Sequence, residues 1–128
     1  MSALSKKLRA GADNALMFWC PGCHEAHRIT HGAGSGPRWG WNGDPESPTF
    51  TPSILVRTIR SPRASEHMTE EEGAEYDALF AAGGLGAVFA SRFGWICHSF
   101  VMGGKIQFLC DCTHALAGQT VDLPEWPE

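Results

Sequence analysis

Cys20-Pro21-Gly22-Cys23 holds two thiols two residues apart, the spacing at which one tight turn offers both sulfurs to the same zinc ion. Pro21 and Gly22 suit such a turn. A redox C-x-x-C pair opens a helix behind a thioredoxin-like strand, whereas strand-forming residues follow Cys23. The pair therefore reads as half of a Zn2+ site. His27, four residues further on, is the expected third ligand and Cys97 the fourth, with Cys110 as a rival thiol. His24 and His31 read as surface residues, and His67 sits in a polar stretch.

A second constellation gathers near the C-terminus. Asp111-Cys112-Thr113-His114, taken with His98, offers a carboxylate, a thiol and two imidazoles within a short span of folded chain. Cys112 as nucleophile, a histidine as its base and Asp111 as the group orienting that histidine would make a thiol hydrolase. Alternatively His98, Asp111 and His114 hold a catalytic metal that activates water. The plainest reading gives Asp111 and Thr113 to capping the turn at Ala115-Leu116-Ala117, with His114 bonded to backbone.

Positioning these groups falls to a hairpin. Trp95 to Val101 and Lys105 to Asp111 flank Gly103-Gly104, the pattern of two strands joined by a two-residue loop. That loop sets Met102 opposite Lys105, Val101 opposite Ile106, Phe100 opposite Gln107, Ser99 opposite Phe108, His98 opposite Leu109 and Cys97 opposite Cys110. Because side chains alternate faces, His98 and Asp111 share one face while Cys97 points to the other with Trp95, Val101, Ile106 and Phe108. Ser99 adjoins His98 but lies on the opposite face, which makes it a poor partner for that imidazole.

Elsewhere, residues 1–15 read as a loosely held arm and Leu16 to Trp19 as a strand entering the cysteine turn, with Glu25 to Thr30 returning. Trp39-Gly40-Trp41 is a short strand, Asn42-Gly43-Asp44-Pro45 a turn, and Thr49 to Thr58 a strand in which Pro52 marks an edge or a bulge. After the polar stretch Ser61 to Met68, a helix is expected over about 69–83. Thr69 and Glu72 form its capping box, Tyr76, Leu79 and Phe80 lie on one face, and Gly83-Gly84 end it. The expected fold is α+β and β-rich: one compact domain, residues 16–128, of antiparallel hairpins with a zinc knuckle and a helical insertion.

Composition narrows the function. At 128 residues with 43 % hydrophobic and 19 % charged content, the chain has the makings of one globular domain. A net charge of −4 argues against binding nucleic acid, which needs a basic surface. The chain shows no apolar run long enough to span a membrane, and five cysteines without a secretion signal fit metal or catalytic thiols in the cytoplasm.

Five blocks carry a family resemblance: Trp19-Cys20-Pro21-Gly22-Cys23, Trp41-Asn42-Gly43-Asp44, Pro48-Thr49-Phe50-Thr51-Pro52-Ser53, Cys97-His98-Ser99-Phe100, and Asp111 through Gln119. Together they resemble a small family common in phage genomes, often mislabelled as ammonia monooxygenase, and present in bacterial ubiquitin-like conjugation (Bub) operons. The resemblance spans about residues 18–60 and 93–124. Ammonia monooxygenases are membrane copper proteins, so that label does not fit a chain without a spanning segment. The operon members look like peptidases. The resemblance thus implies a zinc-containing hydrolase, a peptidase or deconjugase cutting a peptide or isopeptide bond of a ubiquitin-like or other protein substrate. On this reading Cys20, Cys23, His27 and Cys97 hold structural zinc, and His98, Asp111, Cys112 and His114 form the hydrolytic site. The alternative is a non-catalytic, zinc-stabilised interaction module of phage origin.

Overall fold

A computed structural model describes residues 2–61 and 67–127 of the chain. Among the described residues nine strands and one helix follow in the order β1 (Ser2–Ala3), β2 (Leu8–Gly11), β3 (Ala15–Cys20), β4 (Glu25–Thr30), β5 (Gly40–Trp41), β6 (Phe50–Ile59), α1 (Glu70–Phe89), β7 (Gly94–Met102), β8 (Lys105–Phe108) and β9 (Thr120–Asp122). The strands make a four-stranded sheet in the order β1-β2-β3-β4 and a five-stranded sheet in the order β5-β6-β7-β8-β9. The expected α+β, β-rich architecture is therefore what the chain adopts.

Two compact units divide the chain: residues 1–55 with 97–128, and residues 56–96. In the first, β3 and β4 form an antiparallel hairpin whose last pair is Cys20 with Glu25, so the cysteine turn is the hairpin loop. His24 closes that loop at φ 54°, and its N–H donates to the Cys20 carbonyl at 2.9 Å. Alternation along β3 and β4 sends Leu16, Phe18, Cys20, His27 and Ile29 inward. Phe18 stacks on Phe50 at 6.0 Å between ring centres and meets the edge of His27 at 5.6 Å, packing the imidazole from one side.

The N-terminal segment corrects the sequence reading. Far from a loose arm, residues 8–11 form β2 and pair along β3, and Leu8 is fully buried opposite Phe18. Trp126 adds two hydrogen bonds to this segment, from its backbone to the Lys6 carbonyl and from its indole to the Lys7 carbonyl. Polar, basic composition concealed the pairing, because only Leu8 in that stretch needs an apolar partner. The β7–β8 hairpin has the expected register from Met102 with Lys105 to Ser99 with Phe108, and both loop glycines adopt positive φ, as a type I′ turn requires. Strand pairing stops earlier than expected, at Phe108, so Cys110 never faces Cys97: it is exposed while Cys97 is buried.

In the second unit, Thr69 caps α1 with the reciprocal Glu72 bonds of a capping box. The helix outruns the expected end at Gly83 and continues to Phe89, but Gly84 breaks its geometry at φ 67°, ψ −159°. Glycine here interrupts the helix without ending it, because the apolar residues Val88 and Phe93 beyond it are buried. The polar stretch expected over Ser61 to Met68 lies outside the described residues between positions 62 and 66.

Replacing Leu8 by Ala should destabilise the protein by about 2–4 kcal/mol in urea unfolding, as expected for a buried leucine. An unchanged midpoint would restore the loose arm.

Candidate active site and metal centre

All the residues considered below belong to the first unit. Cys20, Cys23, His27 and Cys97 are buried, and one ligand atom from each lies within 4.8 Å of all the others. The hairpin loop supplies the first two, β4 supplies His27 and β7 supplies Cys97. The four cysteine and histidine side chains make a donor set that could hold a metal ion.

Electrostatics supports the fit. Burial opposes a charged imidazole at His27, yet contact with Cys20 and Cys23 outweighs it and lifts the pKa to about 10. Hydrogen bonding with Cys20 and Cys23, followed by burial, pushes the Cys97 thiol well up. Both shifts keep protons on these groups, and a divalent cation held by all four would displace those protons. His27 Nε2 is also buried without a hydrogen-bond partner, a costly state for a nitrogen that no cation relieves. A second group, Cys97, Cys112 and His114, satisfies the same distance limit and shares Cys97 with the first.

The opposite face of β7 carries different chemistry. His98 Nδ1 lies 3.0 Å from Asp111 Oδ2, and His98 Nε2 lies 2.9 Å from Ser53 Oγ. A carboxylate only accepts hydrogen bonds, so Asp111 places the ring proton on Nδ1 and leaves Nε2 to accept the Ser53 hydroxyl. Hydroxyl, imidazole and carboxylate stand here in the same hydrogen-bonded order as in a serine-hydrolase triad. The His98 side chain is 25 % exposed and that of Asp111 53 %, so solvent can reach them. Ser53 is held on β6, where its carbonyl accepts the Trp39 indole N–H at 3.2 Å. Upstream, the Asn42 and Asp44 side chains bond the backbone of residues 44, 46, 47 and 49, and Thr49 Oγ1 accepts the Gly103 N–H of the β7–β8 loop. The Asn42 to Ser53 block thus ties the strand carrying Ser53 to the hairpin carrying His98.

The remaining sequence candidates fall elsewhere. The Cys112 thiol lies within 4.8 Å of a His114 ring nitrogen and of Cys97 Sγ, and its hydrogen bonds go to the backbone of His98, donating to the carbonyl and accepting the N–H, both at 3.2 Å. Burial pushes that thiol up, away from thiolate. His114 is buried, packed edge-on against Phe108 at 4.5 Å, and its Nδ1 accepts the Leu116 N–H. A Cβ on Gly22 would come within 2.3 Å of the His114 ring, so the imidazole lies directly on the cysteine turn. His98, bonded to Ser53 and Asp111, is not available for the alternative metal site with His114. Ser53 was not among the sequence candidates, although it closes one of the five recognised blocks. Its pairing with a histidine 45 residues away is invisible to local pattern.

Residues 3–109 match the family model described as "Bacterial ubiquitination-like system serine protease (BubE)". The chain belongs to the BubE family. The match covers Ser53, His98 and all four of Cys20, Cys23, His27 and Cys97, and ends two residues before Asp111. The family's description names a serine protease, and the group at His98 Nε2 is a serine hydroxyl, that of Ser53. No curated protein and no solved structure matches the chain. As a BubE member it contains, among its described residues, no helix long and apolar enough to cross a membrane.

Substituting Cys20 and Cys23 together by Ser should abolish stoichiometric metal binding, measured by elemental analysis of purified protein, and lower the Tm; full metal retention would move the ion to another site. Gly22→Ala should cost about 1–3 kcal/mol through the clash with His114, read in the same unfolding assay.

Proposed function

We propose that this chain is a serine peptidase of a bacterial ubiquitin-like system, cleaving a peptide or isopeptide bond at a ubiquitin-like protein. The observation that carries this reading is the unbroken hydrogen-bonded chain Ser53, His98, Asp111. Ser53 Oγ attacks the scissile carbonyl carbon while His98 Nε2 takes its proton. Asp111 stabilises the imidazolium so formed and keeps the ring in its working tautomer. His98 then delivers the proton to the departing amine, which leaves an ester on Ser53. Water, deprotonated by the same imidazole, hydrolyses the ester and regenerates the hydroxyl. A lysine side-chain amine and a backbone amine are equivalent leaving groups in this scheme, which accommodates both maturation and deconjugation of a protein modifier.

The metal in this reading is Zn2+, held by Cys20, Cys23, His27 and Cys97 in a site closed by four protein ligands. Sulfurs about 2.3 Å from a tetrahedral ion stand about 3.8 Å apart, and Cys20 Sγ and Cys97 Sγ are 3.8 Å apart. Zinc so enclosed supplies cross-linking and charge neutralisation, while the peptidase steps belong to Ser53, His98 and Asp111. Five cysteines held as thiols rather than disulfides suit action in the reducing cytoplasm.

A fluorophosphonate probe should label Ser53 of the intact protein, and cleavage of a ubiquitin-like protein extended at its C-terminus should fall about 10,000-fold or more in Ser53→Ala. Asp111→Asn should fall by a similar factor through loss of the working tautomer. Undiminished cleavage by folded, zinc-loaded Ser53→Ala would sink the assignment.

A further inference from the structure

The place where β8 stops contains an irregularity that bears on the base. Leu109, one residue beyond the strand, still donates its N–H to the His98 carbonyl at 2.9 Å. Residues in such an antiparallel pair normally exchange two bonds, so the His98 N–H should return to the Leu109 carbonyl. It does not. The Leu109 carbonyl instead accepts the Cys112 N–H at 3.2 Å, closing a turn, and the His98 N–H goes to Cys112 Sγ. The same sulfur donates back to the His98 carbonyl. A side-chain thiol has taken the place of a strand carbonyl.

We propose that Cys112 is a positioning residue for the catalytic base, acting through the backbone of His98. The role rests on the Ser53, His98, Asp111 reading and deepens it. Asp111 lies beyond the end of β8 and bonds His98 Nδ1, and the turn that engages the Leu109 carbonyl with the Cys112 N–H would by itself strand the His98 N–H. Cys112 resolves that conflict: the turn that delivers Asp111 also delivers the sulfur that keeps the His98 backbone clamped. Its group must both donate and accept, must be small, and must reach from the far side of the turn. Cysteine and serine meet those demands, whereas alanine and valine do not. At 8 % exposed, Cys112 is too enclosed to meet a substrate, which separates this role from nucleophilic attack.

Three variants and two readouts test it. With a substrate the wild type cleaves, Cys112→Val and Cys112→Ala should lose about 10-fold to 100-fold in kcat, the scale set by small misplacement of a catalytic group, with KM changed less than about 2-fold. Cys112→Ser should recover to within about 3-fold of the wild type, since a hydroxyl donates and accepts as the thiol does. The second readout needs no substrate. Long-range proton–nitrogen NMR correlations of His98 should show the Nδ1-protonated ring in the wild type and Cys112→Ser, and a mixed tautomer in Cys112→Val. Val and Ser are the deciding pair if Cys112→Ala does not fold. Folded Cys112→Val with wild-type kcat and tautomer would overturn the proposal, as would folded Cys112→Ser that is as impaired as Cys112→Val. A wild type inert toward peptide bonds and probe, yet showing the tautomer pattern, would sink the peptidase reading and leave the positioning role standing.

Discussion

Consecutive side chains on a β-strand point to opposite faces, and at Cys97 and His98 that rule joins two kinds of chemistry through a single peptide bond. Cys97 turns inward to the buried group it forms with Cys20, Cys23 and His27, while His98 turns outward to Ser53 and Asp111. Any displacement of β7 at this point moves both. The surrounding interactions can be understood as devices that fix it: the two glycines that set the hairpin register, the thiol that clamps the His98 backbone, and the buried ligand set directly behind it.

Burial gives the inner group its force. Three thiols and an imidazole are enclosed together as soft donors, and the cost of an unpaired, buried His27 nitrogen favours a cation at their centre. A metal bound only by the folded chain stabilises that chain by mass action. This matters in a domain whose cysteine turn is a hairpin loop, otherwise free to open. Phe18 and Phe50 pack beside His27 and extend the same centre into the apolar core.

The outer group works by the opposite principle. Ser53, His98 and Asp111 remain partly open to solvent, and their alignment comes from backbone fixed elsewhere, by the bonds of Asn42 and Asp44 and by the Trp39 indole. Of the histidines singled out from sequence, His98 is hydrogen-bonded between Ser53 and Asp111, whereas His114 packs against Phe108 and the cysteine turn. His98 and Asp111 come from one hairpin and the turn after it, but Ser53 comes from a different strand.

Local features were legible in the amino-acid sequence wherever a short segment constrains itself. Cysteine spacing marked the turn of Cys20 to Cys23, the Gly103-Gly104 loop set the register from Met102 to Ser99, and Thr69 with Glu72 marked the start of the helix. The BubE-type blocks were legible for the same reason, as runs of adjacent residues. Tertiary structure alone decided that residues 8–11 pair with β3, that β8 ends before Cys110, and that Ser53, 45 residues from His98, stands at its Nε2. Strand pairing across such separations depends on which edges meet in the folded core, a choice made by the packing of many residues and carried by no local pattern.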